Sequence, residues 1–223
     1  MSLIFDLDGT LVESAPDIHD ALNRCLIDNG CGALSLETAK TYIGNGVPKL
    51  VERAMKAAGI EFTRERHADL CNTFSTYYGI NPVTLSYLNK GVIPALDQFR
   101  DDGFKMAICT NKPIDLTNQV LKGLGIETYF QAVIGGDSLA VKKPDRAPLD
   151  KAISLLRSDT CIYIGDSEVD AQTARNAGQP FFLFTDGYRQ ATIAELKPKA
   201  VFNDFAQLPQ LINEHTFANT DRS

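Results

Sequence analysis

The chain has no tryptophan, only three histidines, and five cysteines that form no C-x-x-C pair. Scattered histidines in this number argue against a histidine-ligated metal site, and we expect each on a helix surface. An odd cysteine count without paired spacing argues against a disulfide framework or a dithiol redox motif. The cysteine pattern therefore predicts a protein of the reducing cytoplasm.

Long apolar runs and an excess of positive charge are also missing. No stretch approaches the roughly 18 apolar residues that span a bilayer, and no basic, apolar leader of the signal-peptide type precedes the first strand. The net charge of −6 is the wrong sign for a phosphate-backbone surface. We therefore expect neither a membrane nor a nucleic-acid partner, and a monomer or homodimer acting on a small molecule.

Short apolar runs recur along the chain, at residues 2–7, 105–110, 131–136, 161–166, 180–185 and 200–203. Most of the intervals between them carry helical apolar spacing, and Gly103 and Gly125 stand where helices would end. Strands that alternate with helices of this length indicate a parallel sheet covered on both faces. The fold class predicted is α/β, a doubly wound, Rossmann-like parallel sheet.

One interval, from about residue 14 to residue 88, shows helical patterns only. Pro16 and Pro48 suit the first turn of a helix, and Ser35 suits an N-cap. This pattern predicts a small α-helical domain inserted after the first strand. The expected organisation is a core domain of residues 1–13 and 89–223 with a cap domain of residues 14–88.

Two acids, Asp6 and Asp8, follow the first apolar run. Residues i and i+2 of a strand point to the same face, so these side chains would crowd each other if the strand continued through Asp8. Gly9 permits the backbone to leave the strand at this point. A polar turn would explain the same residues, because Asp and Gly are common turn formers.

Polar residues also follow the later strands, where ligands bind in parallel α/β sheets. These residues are Thr110, Asn111 and Lys112 after the second run, Lys143 in the loop after the third, and Asp166 and Asp170 after the fourth. Each group has a structural explanation of its own, as a helix cap or a solvated loop. Their coincidence at successive strand ends favours a shared site.

The residue types at these strand ends point to phosphoryl chemistry. Clustered carboxylates repel one another unless a cation joins them, and hard oxygen ligands suit Mg²⁺. The Thr110 hydroxyl and the Lys143 ammonium could hold a phosphate beside such a metal. One aspartate could then act as a nucleophile, while a second, kept protonated by its neighbours, donates to the leaving group.

The chain resembles the haloacid dehalogenase-like superfamily of phosphotransferases through four motifs in that superfamily's order. They are DLDGT at 6–10, the threonine of CTNK at 110, the lysine of KKP at 143 and GDSEVD at 165–170. The resemblance covers the whole core, and the helical insert resembles the superfamily's small α-helical cap. It implies hydrolysis of a phosphoester through an aspartyl-phosphate intermediate.

The resemblance also implies a role for each matched residue. Asp6 would be the nucleophile, and Asp8 would protonate the leaving group and later deprotonate a water. Mg²⁺ would bind the Asp6 carboxylate, the Asp8 backbone carbonyl and Asp166, with Asp170 nearby as a supporting acid. The phosphoryl group would be held by Thr110, Asn111 and Lys143.

Within the superfamily, further stretches resemble phosphatases that act on 2-phosphoglycolate, which makes this metabolite the expected substrate. They include YIGNGVPKLVERAM at 42–55 and AVFNDFAQLPQLI at 200–212. The GNGVP loop would then be the cap's specificity loop. Its candidate residues are Asn45, Gly46, Lys49 and Arg53. The last two could face a substrate carboxylate or be solvated surface charges.

Departures from the family pattern leave other functions open. Glu13 stands where Asp is common, Arg146 replaces a proline, and Asn89 to Gly91 replaces a Pro-Gly pair. The alternatives are a sugar-phosphate mutase like β-phosphoglucomutase and a phosphatase of broad specificity for sugar phosphates and nucleotides. A phospho-accepting signalling receiver domain is a more remote alternative, because such domains are about half this length and lack a cap.

Overall fold

The computed structural model describes residues 1–220, and it describes side chains through Thr216. The strands are β1 (Ser2–Phe5), β2 (Val12–Glu13), β3 (Tyr87–Leu88), β4 (Met106–Cys109), β5 (Ala132–Ile134), β6 (Cys161–Gly165), β7 (Phe181–Phe184) and β8 (Ala200–Phe202). The helices are α1 (Ala15–Asp28), α2 (Leu36–Lys40), α3 (Val47–Ala57), α4 (Arg64–Ile80), α5 (Val92–Asp101), α6 (Ile114–Gly123), α7 (Ala147–Leu155), α8 (Glu168–Ala177), α9 (Ile193–Leu196) and α10 (Leu208–Thr220).

Within residues 1–220 the main sheet has six strands, all parallel, in the order β5-β4-β1-β6-β7-β8. Alternate residues of β1, β4, β5, β6 and β7 enter two different apolar clusters. Leu3 and Phe5 pack with α5, α6 and α10, whereas Ile4 packs with α7, α8 and α9. Helices therefore cover both faces, and the predicted doubly wound α/β fold is confirmed.

The first strand ends earlier than the apolar run predicted, at Phe5 instead of Leu7. Gly9 has a φ of +82°, and backbone bonds from Thr10 and Val12 to the Leu7 carbonyl close a tight turn directly after the strand. β1 lies at the centre of the sheet, between β4 and β6. Asp6 and Asp8 thus leave the sheet at its middle.

Helices α1 to α4 fall within the segment predicted to be an inserted cap and share one apolar cluster. The caps follow the sequence signals, since the Ser35 side chain accepts from the Thr38 N–H and prolines stand in the first turns of α1 and α3. Leu116 of α6 also joins this cluster. The helical segment therefore packs on the main sheet's layer through α6.

The expectation of helical structure throughout residues 14–88 is wrong at its end. Tyr87–Leu88 forms a strand that pairs antiparallel with Val12–Glu13. Two residues per strand are too few to leave a periodic signal, and the partners lie far apart in sequence. The pairing joins the outgoing and returning chains at both predicted domain boundaries. No helix among the described residues combines the length and apolar character that crossing a bilayer requires.

Candidate active site

Asp6 and Asp8 extend into two different environments at the end of β1. The Asp6 carboxylate is buried, and its Oδ1 lies 3.0 Å from Lys143 Nζ. The Asp8 carboxylate instead accepts hydrogen bonds from Ser14 Oγ at 2.6 Å and from Lys112 Nζ at 2.8 Å. The turn at Gly9 therefore separates two acids that a continuous strand would have crowded.

Lys143 connects the loop before α7 to the acids of β1 and α8. Its ammonium donates to Asp170 Oδ1 at 2.7 Å and to the Tyr163 hydroxyl at 2.8 Å. It approaches Asp6 Oδ1 at an angle outside hydrogen-bonding geometry, so that contact is an ion pair and Oδ1 has no hydrogen-bond partner among the described residues. An unpaired buried carboxylate oxygen indicates a place for a cation or a reacting atom.

The GDSEVD segment serves both the helix cap and the site. Ser167 and Asp170 form a capping box at the start of α8, and Asp170 Oδ2 also accepts from the Asp166 N–H at 3.2 Å. Asp166 accepts from the Thr10 hydroxyl at 2.8 Å and from the Tyr188 N–H at 2.6 Å. The structural and the functional explanations of this motif are therefore compatible.

Among the described residues, Asp6, Asp166 and Asp170 form a buried acidic cluster, with ligand oxygens that lie within 4.8 Å of one another. Asp6 and Asp166 are two of the predicted metal ligands, and Asp170 is the supporting acid expected nearby. The third predicted ligand, the backbone carbonyl of Asp8, stays a prediction. Three buried carboxylates close together, with Asp6 Oδ1 accepting no hydrogen bond from the described residues, fit a hard divalent cation. The cluster is the candidate metal site.

The three carboxylates of this cluster differ in pKa. Burial, together with the Asp170 carboxylate, raises the pKa of Asp6 from 3.8 to about 7 against the attraction of Lys143. Burial, together with the Asp170 and Asp6 carboxylates, raises the pKa of Asp166 well above its usual range. Burial opposes ionisation of Asp170 too, but the Lys143 charge and hydrogen bonds hold its pKa below its usual value. One ammonium thus does not balance three ionised carboxylates, so the cluster retains protons that a bound divalent cation would displace.

The end of β4 supplies the second side of the site. The Thr110 hydroxyl is buried and accepts from the Lys112 N–H at 3.3 Å. Asn111 Nδ2 donates to the carbonyls of Gly44 and Lys143, both at 3.1 Å, and its Oδ1 has no partner among the described residues. Asn111 therefore joins the loop of the helical segment to two loops of the sheet.

Lys112 is a buried site residue to which the sequence assigned no role. Its ammonium donates to Asp8 Oδ1 at 2.8 Å and to the Tyr78 hydroxyl of α4 at 2.6 Å. Burial disfavours the charge, but the Asp8 carboxylate and Tyr78 outweigh it and raise the pKa of Lys112. Its position at a strand end, beside Thr110, was the available signal; its partners are distant in sequence and could not be identified.

A second missed residue, Tyr188, anchors the connection between sheet and helical segment. Its hydroxyl accepts from the N–H groups of Ser14 and Ala15, both at 3.0 Å, and donates to Glu13 Oε1 at 2.8 Å. The other Glu13 oxygen pairs with Lys40 at 3.3 Å. The longer Glu13 side chain therefore reaches partners on both sides of this connection.

The four residues proposed for the specificity loop, Asn45, Gly46, Lys49 and Arg53, differ from one another in their surroundings. Arg53 braces the loop by donating to the Tyr42 carbonyl at 3.0 Å and to Asn45 Oδ1 at 2.7 Å. A Cβ on Gly46 would lie 3.1 Å from the Asn111 carbonyl, so the loop backbone approaches β4 closely there. Lys49 is half-exposed and pairs with Glu52 at 2.7 Å.

A narrow cavity of about 40 Å³ lies between the strand ends and the helical segment. One side carries the polar residues Asp6, Asp8, Thr110, Asn111 and Lys112. The other side is largely apolar and is formed by Ile18, Ile43, Val47, Leu50, Phe74, Tyr78, Pro113 and Leu116, with Gly44 and Gly46. Neither Lys49 nor Arg53 lines it. The arrangement suits a small group with a charged end.

Comparison with known proteins identifies similar chains. The model of the haloacid dehalogenase-like hydrolase family matches residues 3–184. Phosphoglycolate phosphatase of Cereibacter sphaeroides (strain ATCC 17025 / ATH 2.4.3) is 43% identical over 210 residues, which cover 94% of this chain and 96% of that protein. Phosphoglycolate phosphatase of Rhodobacter capsulatus is 41% identical over 221 residues, with 97% and 99% covered. The crystal structure of a predicted phosphoglycolate phosphatase from Haemophilus somnus 129PT superposes with a TM-score of 0.89 at 33% identity, covering 95% of this chain and 97% of that one.

Proposed function

This chain belongs to the haloacid dehalogenase-like hydrolase family and is a phosphoric monoester hydrolase, and we propose that its substrate is 2-phosphoglycolate. The names of the relatives support this substrate, and the observation that carries the proposed chemistry is the separation of two acids at the end of β1. Asp6 has a buried oxygen that is ion-paired with Lys143 and accepts no hydrogen bond from the described residues, whereas Asp8 is held by Ser14 and Lys112 at the cavity. Two carboxylates in different environments can take different roles in one reaction.

Asp6 acts as the nucleophile in the proposed reaction. Its oxygen attacks phosphorus, the bond from phosphorus to the glycolate oxygen breaks, and an aspartyl-phosphate forms. Lys143 holds the Asp6 side chain in place through its ion pair, and Tyr163 and Asp170 in turn orient Lys143. Water then attacks phosphorus in the intermediate, which releases phosphate and restores the carboxylate.

Asp8 transfers the protons of both half-reactions. It gives a proton to the leaving glycolate oxygen and later accepts one from the attacking water. The hydroxyl of Ser14, at the N-cap of α1, and the ammonium of Lys112 both donate to its Oδ1 and fix its orientation. Packing of the helical segment against the strand ends therefore also positions the acid.

Asp6, Asp166 and Asp170 would hold the metal, which we propose to be Mg²⁺. When bound, such a cation neutralises charge on the phosphoryl oxygens. Thr110, Asn111 and Lys143 bind the same oxygens through a hydroxyl, the backbone N–H of Asn111 and an ammonium. The Asn111 side chain, which donates to the Gly44 and Lys143 carbonyls, holds this backbone in place at the strand end.

The lining of the cavity favours a small substrate over a sugar phosphate. Apart from the polar strand ends, its walls are largely apolar and offer few hydrogen-bond partners to sugar hydroxyls. A second groove of about 560 Å³ shares Ile43 and Gly44 with it. That groove is the observation in favour of the broad-specificity alternative, since a longer leaving group could extend into it. We also propose a cytoplasmic location, supported by the chain's free cysteines.

The experiment that tests the function is phosphate release by the purified protein with Mg²⁺. The panel contains 2-phosphoglycolate, hexose phosphates and nucleotides, and Asp6→Asn and an EDTA sample serve as controls. We expect a strong preference for 2-phosphoglycolate that both controls abolish. Broad, weak hydrolysis would overturn the substrate assignment, and isomerised glucose phosphate without phosphate release would favour the mutase.

A further inference from the structure

Lys112 is a buried cation that lines the cavity, and its contact with Asp8 does not use all of its hydrogen-bond donors. Its side chain is 3% exposed, and it is the one cationic residue lining the cavity among the described residues. Burying a charged group is costly. A neutral donor would be sufficient to orient a neighbouring carboxylate. Ser14 already provides such a donor to Asp8 at 2.6 Å.

The ammonium retains a hydrogen-bond donor for a ligand. An ammonium group has three protons, and among the described residues only Asp8 and the Tyr78 hydroxyl accept from it. The Tyr78 ring also lies beneath the charge, with its centroid 4.4 Å from Nζ. The group is therefore held firmly while one proton is left without an acceptor.

The location of Lys112 limits what this proton can reach. Lys112 follows Thr110 by two residues at the same strand end, and both line the same narrow cavity. A group bound by Lys112 must therefore lie next to the phosphoryl group and not at the far end of a long substrate. The remaining walls are mostly apolar, so they offer little other compensation for a second negative charge.

We propose that Lys112, steadied by Tyr78, determines specificity by binding a carboxylate on the carbon that bears the phosphoester oxygen. This inference rests on the proposed function and names the residue that recognises the acid. Since Tyr78 belongs to α4 and Lys112 to the strand end, the carboxylate site is complete only when the helical segment lies over the sheet. Substrates without the carboxylate leave the buried ammonium proton unpaired.

The test compares 2-phosphoglycolate with 2-hydroxyethyl phosphate, in which a neutral CH₂OH replaces the carboxylate. We expect the wild type to prefer the former by about 50-fold or more in kcat/KM, because sites built to pair a polar group reject its absence strongly. In Lys112→Met the preference should fall to within about 3-fold of unity. Lys122→Met, the same change at an exposed residue of α6, should keep the wild-type preference.

Equal loss on both substrates in Lys112→Met, with the preference intact, would overturn the inference, because Lys112 would then only position Asp8. That outcome differs from failure of the proposed function, in which the wild type itself would not favour 2-phosphoglycolate. If Lys112→Met does not fold, inhibition of the wild type decides. 3-Phosphonopropionate, in which CH₂ replaces the ester oxygen of the substrate, should compete at least about 10-fold more strongly than propylphosphonate, which lacks the carboxylate, and equal inhibition would overturn the inference.

Discussion

Replacement of Asp6 by Asn should raise the stability of the metal-free protein while abolishing its activity. The substitution removes one of three carboxylates whose oxygens lie within 4.8 Å of one another. It does not strand Lys143, which keeps Asp170 at 2.7 Å and Tyr163 at 2.8 Å. The substitution therefore relieves repulsion without creating an unpaired buried charge.

The size and the pH dependence follow from the pKa of Asp6. Folding raises that pKa from 3.8 to about 7, so the folded state holds the proton more tightly than the unfolded state. The stability that this proton contributes is complete below pH 3.8 and is lost as the pH rises through 7. The wild type thus loses on the order of 4 kcal/mol through the ionisation of Asp6 across this window, and Asp6→Asn lacks this contribution.

The assay is urea unfolding of both proteins in EDTA at a series of pH values from 4 to 8. We expect the free energies of unfolding to be similar at the acid end, with the variant more stable by a margin that grows with pH. Added Mg²⁺ should stabilise the wild type more than the variant, because the variant lacks a ligand. A margin that is absent, or that shrinks as pH rises, would refute the reasoning.

Asp8→Asn is the matched comparison, because Asp8 compensates a buried cation, whereas Asp6 belongs to a cluster of three acids. Its carboxylate is the ion-pair partner of buried Lys112 at 2.8 Å. Removal of that charge leaves the ammonium poorly compensated, which should destabilise the protein by about 3 kcal/mol. Two substitutions of the same chemistry, two residues apart, should therefore change stability in opposite directions.

Three further outcomes follow from the geometry. Gly9→Ala should lower phosphatase activity at least about 10-fold, since Gly9 has a φ of +82° and a Cβ there would lie 2.7 Å from Asp166 Oδ2. Gly103→Ala, at a φ of +79° with open space around it, should cost a similar 1–2 kcal/mol of strain and leave activity intact; equal activity in the two variants would contradict this. Asp17→Asn should cost about 2 kcal/mol in thermal or urea unfolding, because buried Asp17 accepts from the N–H and hydroxyl of Ser86; an unchanged midpoint would count against it. EDTA should abolish phosphate release and Mg²⁺ should restore it, whereas a full rate in EDTA would exclude the proposed metal dependence.

The sequence was sufficient to predict the sheet and the convergence of polar residues at its edge. Apolar runs separated by helical spacing indicate parallel strands, and parallel strands bring their carboxyl ends together whatever the details of packing. Local signals of this kind, including the Ser35 cap and the first-turn prolines, depend on neighbours only a few residues away. They can therefore be recognised in a single sequence.

The pairing of two-residue strands and the contacts of the residues proposed for the specificity loop could not be predicted. The strand Tyr87–Leu88 is too short for a periodic signal, and its partner lies at Val12–Glu13. Lys49 and Arg53, one helical turn apart, had the same sequence support for a binding role. Arg53 instead braces the loop, and Lys49 pairs with Glu52 at the surface, because the orientation of α3 against its neighbours sets where each side chain ends.

The sequence by itself determined the fold class, the motifs that identify the family, and the presence of two acids at the end of the central strand. Only the tertiary structure decided how those acids divide. Asp6 faces Lys143, Asp166 and Asp170, whereas Asp8 faces Lys112, which α4 holds from the other side. The physical reason is that the spacing of residues in a strand sets only the directions of their side chains within that segment. Charge pairing depends on groups that packing brings together from distant parts of the chain.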